Sequence, residues 1–410
     1  MFKLSKFENM NINKEIKRAL NDMNFINPTE IQDMAIPHIM SGGDVIIRSK
    51  TGSGKTGAYL IPVLNSISSL KGRYVKALIV LPTRELSLQT AKVFEKMGKY
   101  TGLRYSIIYG GTPYQRQIDS LYRADIVIGT PGRIIDLINK GYLDISRINH
   151  LILDEADEML DMGFIDDIKT IIGYTNDRRQ TILLSATMPE KIKMLSRQFM
   201  KNPENIFADE DRIPETINHI YTVSRKCNKF SILMSYLNDY GSKKSIIFVK
   251  TQKMGEIINR ALTQEGFRNI LLHGGMKQNY RERSINEFRK MDSGILVTTN
   301  IAARGLDIPG ISDVINFDAP DNIETYTHRV GRSGRMGKNG RAMTIFNEEE
   351  KYMIHEIQAK SSINMEHIEI RLNEKYINSS FNKIVNENII KNHHRTSGHE
   401  KSYRYHGRRW

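Results

Sequence analysis

Residues 49–56, Ser-Lys-Thr-Gly-Ser-Gly-Lys-Thr, constrain this chain more than any other stretch. They follow Val45-Ile46-Ile47, an apolar run that reads as a short buried parallel strand. They precede Gly57-Ala58-Tyr59-Leu60-Ile61, which reads as the opening of a helix. Strand, glycine loop, helix is the context that a phosphate-binding loop needs. Gly52 and Gly54 let the backbone curl, so that N–H groups of the stretch Thr51, Gly52, Ser53 and Gly54 converge on phosphate oxygens, and the helix N-terminus adds partial positive charge. Lys55 can reach the β- and γ-phosphates, and the Thr56 hydroxyl can ligate Mg²⁺. The strict pattern begins with glycine, and Ser49 stands there instead. The bland alternative is a glycine-rich turn with a chance Lys-Thr pair; the flanking strand and helix favour a nucleoside triphosphate site.

The 410 residues are 40% hydrophobic and carry a net charge of +14, which suits a globular chain of about two to three domains with a polyanionic partner. Nucleic acid fits that charge better than a membrane surface. A single cysteine, Cys227, excludes an internal disulfide and a cysteine metal cluster, and it fits a reducing compartment. The N-terminus lacks an apolar stretch of signal-peptide length, and no run approaches the roughly 20 apolar residues of a membrane span. A cytoplasmic location without membrane attachment is the expectation.

Ahead of the loop, Phe25-Ile26-Asn27-Pro28-Thr29-Glu30-Ile31-Gln32 reads as a helix start. The Gln32 amide can donate and accept together, as adenine's edge requires, although a surface helix start explains it equally well. Downstream, apolar runs alternate with helical stretches, the pattern of a doubly wound parallel sheet. The runs at 77–81, 106–109 and 125–129 end in Pro82-Thr83-Arg84, Gly110-Gly111 and Thr130-Pro131-Gly132-Arg133. Such turns line the carboxyl edge, where open α/β sheets bind ligands, and their amides, hydroxyls and arginines suit the phosphates of an extended strand. A fourth run, 150–153, enters Asp154-Glu155-Ala156-Asp157. Asp154 can hold the Mg²⁺ shell, and Glu155 can accept a proton from the attacking water. A fifth, 180–184, leaves Ser185-Ala186-Thr187 at the same edge.

Taken together, Gln32, residues 49–56, 82–86 and 130–133, Asp154-Glu155-Ala156-Asp157 and Ser185-Ala186-Thr187 resemble the ordered motifs of the DEAD-box RNA helicases. Phe7 lies where that family places an isolated aromatic, 17 positions before a glutamine motif that begins at Asn24. Asn24 replaces the usual glycine and Ser49 the usual alanine. The resemblance implies two tandem RecA-like domains, each a mainly parallel sheet flanked by helices. It assigns Phe7, Phe25 and Gln32 to ATP binding.

A second α/β series runs through 245–249, 269–272, 294–298 and 313–317, and the strand at Ser245 leads into Lys250-Thr251-Gln252-Lys253 without a glycine loop. The second domain therefore repeats the architecture of the first without its phosphate cradle. Gln278 and Arg281, Thr299 to Asp307, and His328-Arg329-Val330-Gly331-Arg332-Ser333-Gly334-Arg335 resemble the second-domain motifs of the same family. By that resemblance Arg332 and Arg335 reach the γ-phosphate and Asp307 the ribose, while His328 couples to Ser185, Thr187 and Asp157. Gln278, Arg281, Thr299 and Arg304 join Pro82, Thr83, Arg84, Gly110, Gly111 and Thr130 to Arg133 in contacting RNA. Asn300 stands where the family usually has aspartate, so the hydrogen bond of that carboxylate is not implied.

The expected organisation is an ATP-binding domain over 1–208, a linker at 209–216, a helicase domain over 217–372 and a disordered basic tail over 373–410. In that tail, arginines and lysines interleave with Tyr403, Tyr405 and Trp410, a composition suited to loose RNA contact. Asn347 is expected to cap a closing helix through Gln358. The function expected is an RNA-dependent ATPase that clamps and unwinds RNA, as a monomer with ATP and Mg²⁺, on single strands and short duplexes of ribosomal or messenger ribonucleoprotein. An ATP-gated RNA clamp with little unwinding and a DNA translocase of related fold are the alternatives. A GTPase is disfavoured, because no Asn-Lys-X-Asp guanine-reading motif occurs.

Overall fold

The computed structural model describes residues 6–49, 53–207, 216–224, 228–240, 244–303, 308–334, 339–361 and 363–388. The chain divides after Asp211 into two compact units.

In the first unit the strands are β1 (Val45–Arg48), β2 (Ala77–Val80), β3 (Tyr105–Ile108), β4 (Ile126–Gly129), β5 (His150–Leu153), β6 (Gln180–Ser185) and β7 (Glu204–Phe207). They form one seven-stranded sheet in the order β3-β4-β2-β5-β6-β1-β7, every pair parallel. Its central strands β4, β2, β5 and β6 are buried throughout because helices cover both faces. One face packs Ile47, Ile79, Ile152 and Ile182 under the helices Glu30–Met40 and Lys55–Ile67. The other packs Ile46, Leu78, Val127 and Leu183 under Pro131–Asn139 and Ile165–Gly173. Parallel strands put all their carboxyl ends on one edge, so the turns after β1, β2, β4, β5 and β6 share it.

The polar stretch ahead of the linker contains β7. It is an edge strand with only Ile206 buried, which is why its sequence lacks an apolar run. Most of the expected linker lies outside the described residues.

The second unit holds β8 (Ile217–Ser224), β9 (Lys244–Val249), β10 (Asn269–Leu272), β11 (Gly294–Thr299), β12 (Asp313–Asn316), β13 (Gly340–Asn347) and β14 (Glu366–His367). Their order, β10-β11-β9-β12-β13-β8-β14, repeats that of the first sheet strand for strand, again all parallel. This correspondence corrects one reading. The counterpart of the phosphate-loop strand β1 is β8, whereas the strand at Ser245 matches β2. The sequence that follows β8, Arg225-Lys226-Cys227-Asn228, also lacks glycine. Alternation of buried and exposed residues along β8 hid it from a search for apolar runs.

Asn347 caps a short 3-10 turn, Glu348–Glu350, through a reciprocal bond with Glu350, and the closing helix runs Tyr352–Ser361. Residues 373–388, expected within the tail, pack on the second unit. Asn373 N donates to Ser235 Oγ, the Tyr376 hydroxyl accepts from Asn238 Nδ2, and Tyr376 and Val385 are buried in the core of the second unit. Sparse apolar residues among Asn, Ser and Lys made this stretch look like solvated tail; residues 389–410 lie outside those described.

Candidate functional site

The phosphate loop leaves β1 with Ser49 N donating to Ser185 O, and Ser49 Oγ donates to Ser53 Oγ at 2.6 Å. Gly54 sits at φ +98°, and a Cβ there would lie 2.7 Å from Gln32 Nε2, so both conformation and space demand glycine. Gln32 is buried. Its Oε1 accepts from Thr29 N and its Nε2 donates to Gly54 O at 3.0 Å, so the amide joins the N-cap of its own helix to the loop. Phe25 is exposed and available to a base, but Phe7 is not. The Phe7 ring belongs to the core, and its N–H donates to Ile26 O. Phe7 thus anchors the segment that carries Phe25. Thr51 and Gly52 lie outside the described residues.

Lys55 and Thr56 open the helix Lys55–Ile67, and Lys55 Nζ lies 3.3 Å from Glu155 Oε1, both groups buried. Burial opposes the ammonium charge, but Glu155, Asp154 and Asp157 together hold its pKa above the ordinary lysine value. Asp154 ends β5. Burial and the neighbouring Glu155 charge push its carboxyl up to about 7, against the pull of Lys55 and Tyr59. Its Oδ1 accepts from Glu155 N at 3.0 Å and its Oδ2 from the Tyr59 hydroxyl at 3.1 Å. Glu155 adopts φ +53° and ψ +51°, a left-handed conformation that costs an L-residue roughly 1–2 kcal/mol. Its Oε2 is buried without a hydrogen-bond partner. These features fit a magnesium nucleotide. The donors, Asp154 and Thr56, are hard oxygens, and an unsatisfied carboxylate oxygen faces the same site. No cluster of three or more His, Cys, Asp or Glu able to hold a metal occurs among the described residues.

Beside this centre, Asp157 Oδ2 accepts from both Thr187 N at 2.8 Å and Thr187 Oγ1 at 2.9 Å. Ser185 Oγ accepts from Asp157 N and donates to Thr187 O. Three of the four residues expected to couple the domains thus form one knot.

Along the same edge, Thr83 caps the helix Arg84–Met97, and Thr130 precedes Pro131 at the start of Pro131–Asn139. Pro82, Thr83 and Pro131 are buried and shape these turns, while Gly110, Gly111 and Gly132 are exposed. Arg84 stacks over the Tyr109 ring at 4.1 Å. Arg133 stacks over Tyr114 at 4.2 Å and donates to Thr112 O. Tyr109 and Tyr114, which flank the Gly110-Gly111 turn, escaped the sequence reading because a lone tyrosine carries no spacing signal.

In the second unit, Arg281 is buried and donates to Ala302 O at 3.0 Å, which ties it to the turn Asn300–Ala303 that follows β11 and Thr299. The helix Ile323–Val330 carries His328, and Arg332 follows it, with Arg332 Nε donating to His328 O. Arg329, part of the motif at 328–335 but given no role by the resemblance, holds this region together. It is buried over Phe248 and donates to Asn300 Oδ1 at 2.7 Å, Asn316 Oδ1 at 3.1 Å and Asp318 O at 2.7 Å. Burial lowers its pKa to about 10. Asn300 therefore keeps a hydrogen bond to the motif arginine without supplying the charge. Asn300, His328, Arg329 and Arg332 line one small pocket. Arg304, Asp307, Arg335 and the Gln278 side chain lie outside the described residues.

One parallel-sheet topology built twice, with the phosphate loop and acid pair only in the first copy, is the plan of a tandem RecA-like nucleoside triphosphatase. Residues 29–195 match the family described as DEAD/DEAH box helicase, and residues 228–337 match the helicase conserved C-terminal domain. The chain is 38% identical over 366 residues to the DEAD-box ATP-dependent RNA helicase CshA of Geobacillus kaustophilus, covering 88% of this chain and 78% of that protein. Among solved structures, Mss116p bound to ssRNA and AMP-PNP aligns with a TM-score of 0.80 at 30% identity, covering 90% of this chain and 80% of that one. Dbp5 of S. cerevisiae bound to RNA and ADP BeF3 gives 0.80 at 28% identity, covering 93% and 99%. This chain belongs to the DEAD-box family of ATP-dependent RNA helicases.

Proposed function

We propose that the first unit binds ATP with Mg²⁺ at Lys55, Thr56 and Asp154, that Glu155 is the proton acceptor in hydrolysis, and that turnover requires RNA and the arginines of the second unit. The observation that carries this reading is the Lys55–Glu155 pair, 3.3 Å apart and buried. A triphosphate entering the loop competes for Lys55, and losing that partner leaves Glu155 with a free carboxylate at the reaction centre. Magnesium bound there neutralises phosphate charge. Arg332 and Arg335 then supply the charge that stabilises the transferring phosphoryl group, a contribution typically worth on the order of 10³-fold or more in rate.

RNA enters along the Thr83–Arg84, Gly110–Gly111 and Thr130–Arg133 edge of one unit and the Thr299–Arg304 edge of the other. A ligand that binds both edges favours the hydrolysis-competent arrangement by its differential affinity. Solved relatives bound to ssRNA and to RNA support this assignment. The substrates are single strands and short duplexes within ribosomal or messenger ribonucleoprotein, worked on by a monomer in the cytoplasm, a reducing compartment that suits a single cysteine.

The test is steady-state ATPase activity with and without single-stranded RNA, for wild type and Arg332→Ala. Wild type should hydrolyse slowly alone and rapidly with RNA, and Arg332→Ala should lose the stimulation while still binding nucleotide. Equal wild-type rates in both conditions, or a fully stimulated Arg332→Ala, would refute the coupling.

A further inference from the structure

The helix that opens with Lys55 runs Tyr59-Leu60-Ile61 into the apolar core, and all three are fully buried. A phenylalanine would fill the space of Tyr59 equally well. A hydroxyl in such a place costs free energy unless it is hydrogen-bonded. Here it donates to Asp154 Oδ2 at 3.1 Å, across 95 positions of sequence. The other oxygen of Asp154 accepts from Glu155 N.

We propose that Tyr59 is a positioning residue of the magnesium site, whose hydroxyl fixes the rotation of the Asp154 carboxylate. This rests on the assignment of Asp154 to magnesium. The terminal torsion of an aspartate is broad and, left to itself, samples a wide range of orientations. With Oδ1 held by a backbone N–H and Oδ2 by a phenol on the phosphate-loop helix, the carboxylate plane is fixed before any cation arrives. The bond also joins two pieces of the edge: the helix behind the phosphate loop and the acid at the end of β5. Partners that orient a metal ligand are typically worth 10- to 100-fold in metal affinity.

The experiment is Mg²⁺ titration of fluorescent-ADP binding by the full chain, compared with nucleotide affinity in EDTA, for wild type, Tyr59→Phe and Asp154→Asn. For Tyr59→Phe, affinity in EDTA should match wild type, and the Mg²⁺ concentration at half-saturation should rise about 10-fold. An unchanged Mg²⁺ midpoint would overturn the proposal. So would an equal loss of affinity with and without Mg²⁺, because that is the signature of damaged packing. Asp154→Asn separates the two levels of inference. If it leaves the midpoint unmoved, the assignment of Asp154 fails; if it moves the midpoint and Tyr59→Phe does not, only the role of Tyr59 fails.

Discussion

Replacing Asn300 with aspartate should stabilise the second unit. Arg329 is buried, and it donates to two amide oxygens and a backbone carbonyl, all formally neutral. With its pKa lowered to about 10 by burial, the charged guanidinium is disfavoured by about 3 kcal/mol relative to water. Aspartate has the shape of asparagine and would place a carboxylate oxygen where Asn300 Oδ1 sits, 2.7 Å from Arg329 Nε. Attraction between the charges at an effective dielectric near 20 is worth about 4 kcal/mol. Desolvation of the new carboxylate takes back a large part of that, though less than for a fully buried acid because Asn300 is half-buried. A net gain of about 1–2 kcal/mol remains, equivalent to roughly 3–6 °C in a unit of this size. Asn300→Ala should instead cost about 1–3 kcal/mol, because it leaves a buried N–H unpaired. Scanning calorimetry of the full chain at pH 7.5 should rank the second-unit transition Asp above Asn above Ala. An Asn300→Asp protein melting at or below wild type would refute the charge argument, and an Asn300→Ala protein melting with wild type would refute the bond itself.

Lys55→Ala should weaken ATP binding, whereas Glu155→Gln should retain binding and lose hydrolysis; equilibrium nucleotide titration and single-turnover hydrolysis separate them, and wild-type turnover by Glu155→Gln would remove the base assignment. His150 is held neutral between Gln180 and Ser66 and His219 beside Tyr326, each with burial lowering its pKa to about 4. Since the unfolded value lies near 6.5, the unfolded chain binds more protons between pH 6.5 and 4; stability is full above that window and falls through it, by about 2 kcal/mol per histidine at pH 5. Melting at pH 7 and pH 5 checks this, and His150→Gln should flatten the loss in the first unit. Ending the chain at residue 388 removes six basic residues and one acidic, so RNA affinity should fall and its salt dependence flatten with melting unchanged. Ending it at 372 also removes buried Tyr376 and Val385 and should destabilise the second unit by several kcal/mol, read by the same melting assay.

The strands and their carboxyl-edge turns were legible because a doubly wound sheet writes them as apolar runs stopped by Gly, Pro, Thr and Asp, and the phosphate loop because its geometry demands glycine and lysine at fixed spacing. The order of motifs was enough to indicate two RecA-like domains. Edge strands β7 and β14 and the alternating β8 were not legible, since burial on few residues leaves no apolar run. Nor was the packing of residues 373–388, where only a few side chains such as Tyr376 and Val385 do the burying. Tertiary structure alone decided that Phe7 faces the core, that Arg281 and Arg329 brace turns from within, and that Tyr109 and Tyr114 hold the edge arginines. It alone brought the Tyr59 hydroxyl, 95 positions away, onto Asp154. Sequence spacing reports contacts within one helix, strand or turn. A hydrogen bond between elements depends on how a whole sheet brings them together, and no local pattern records it.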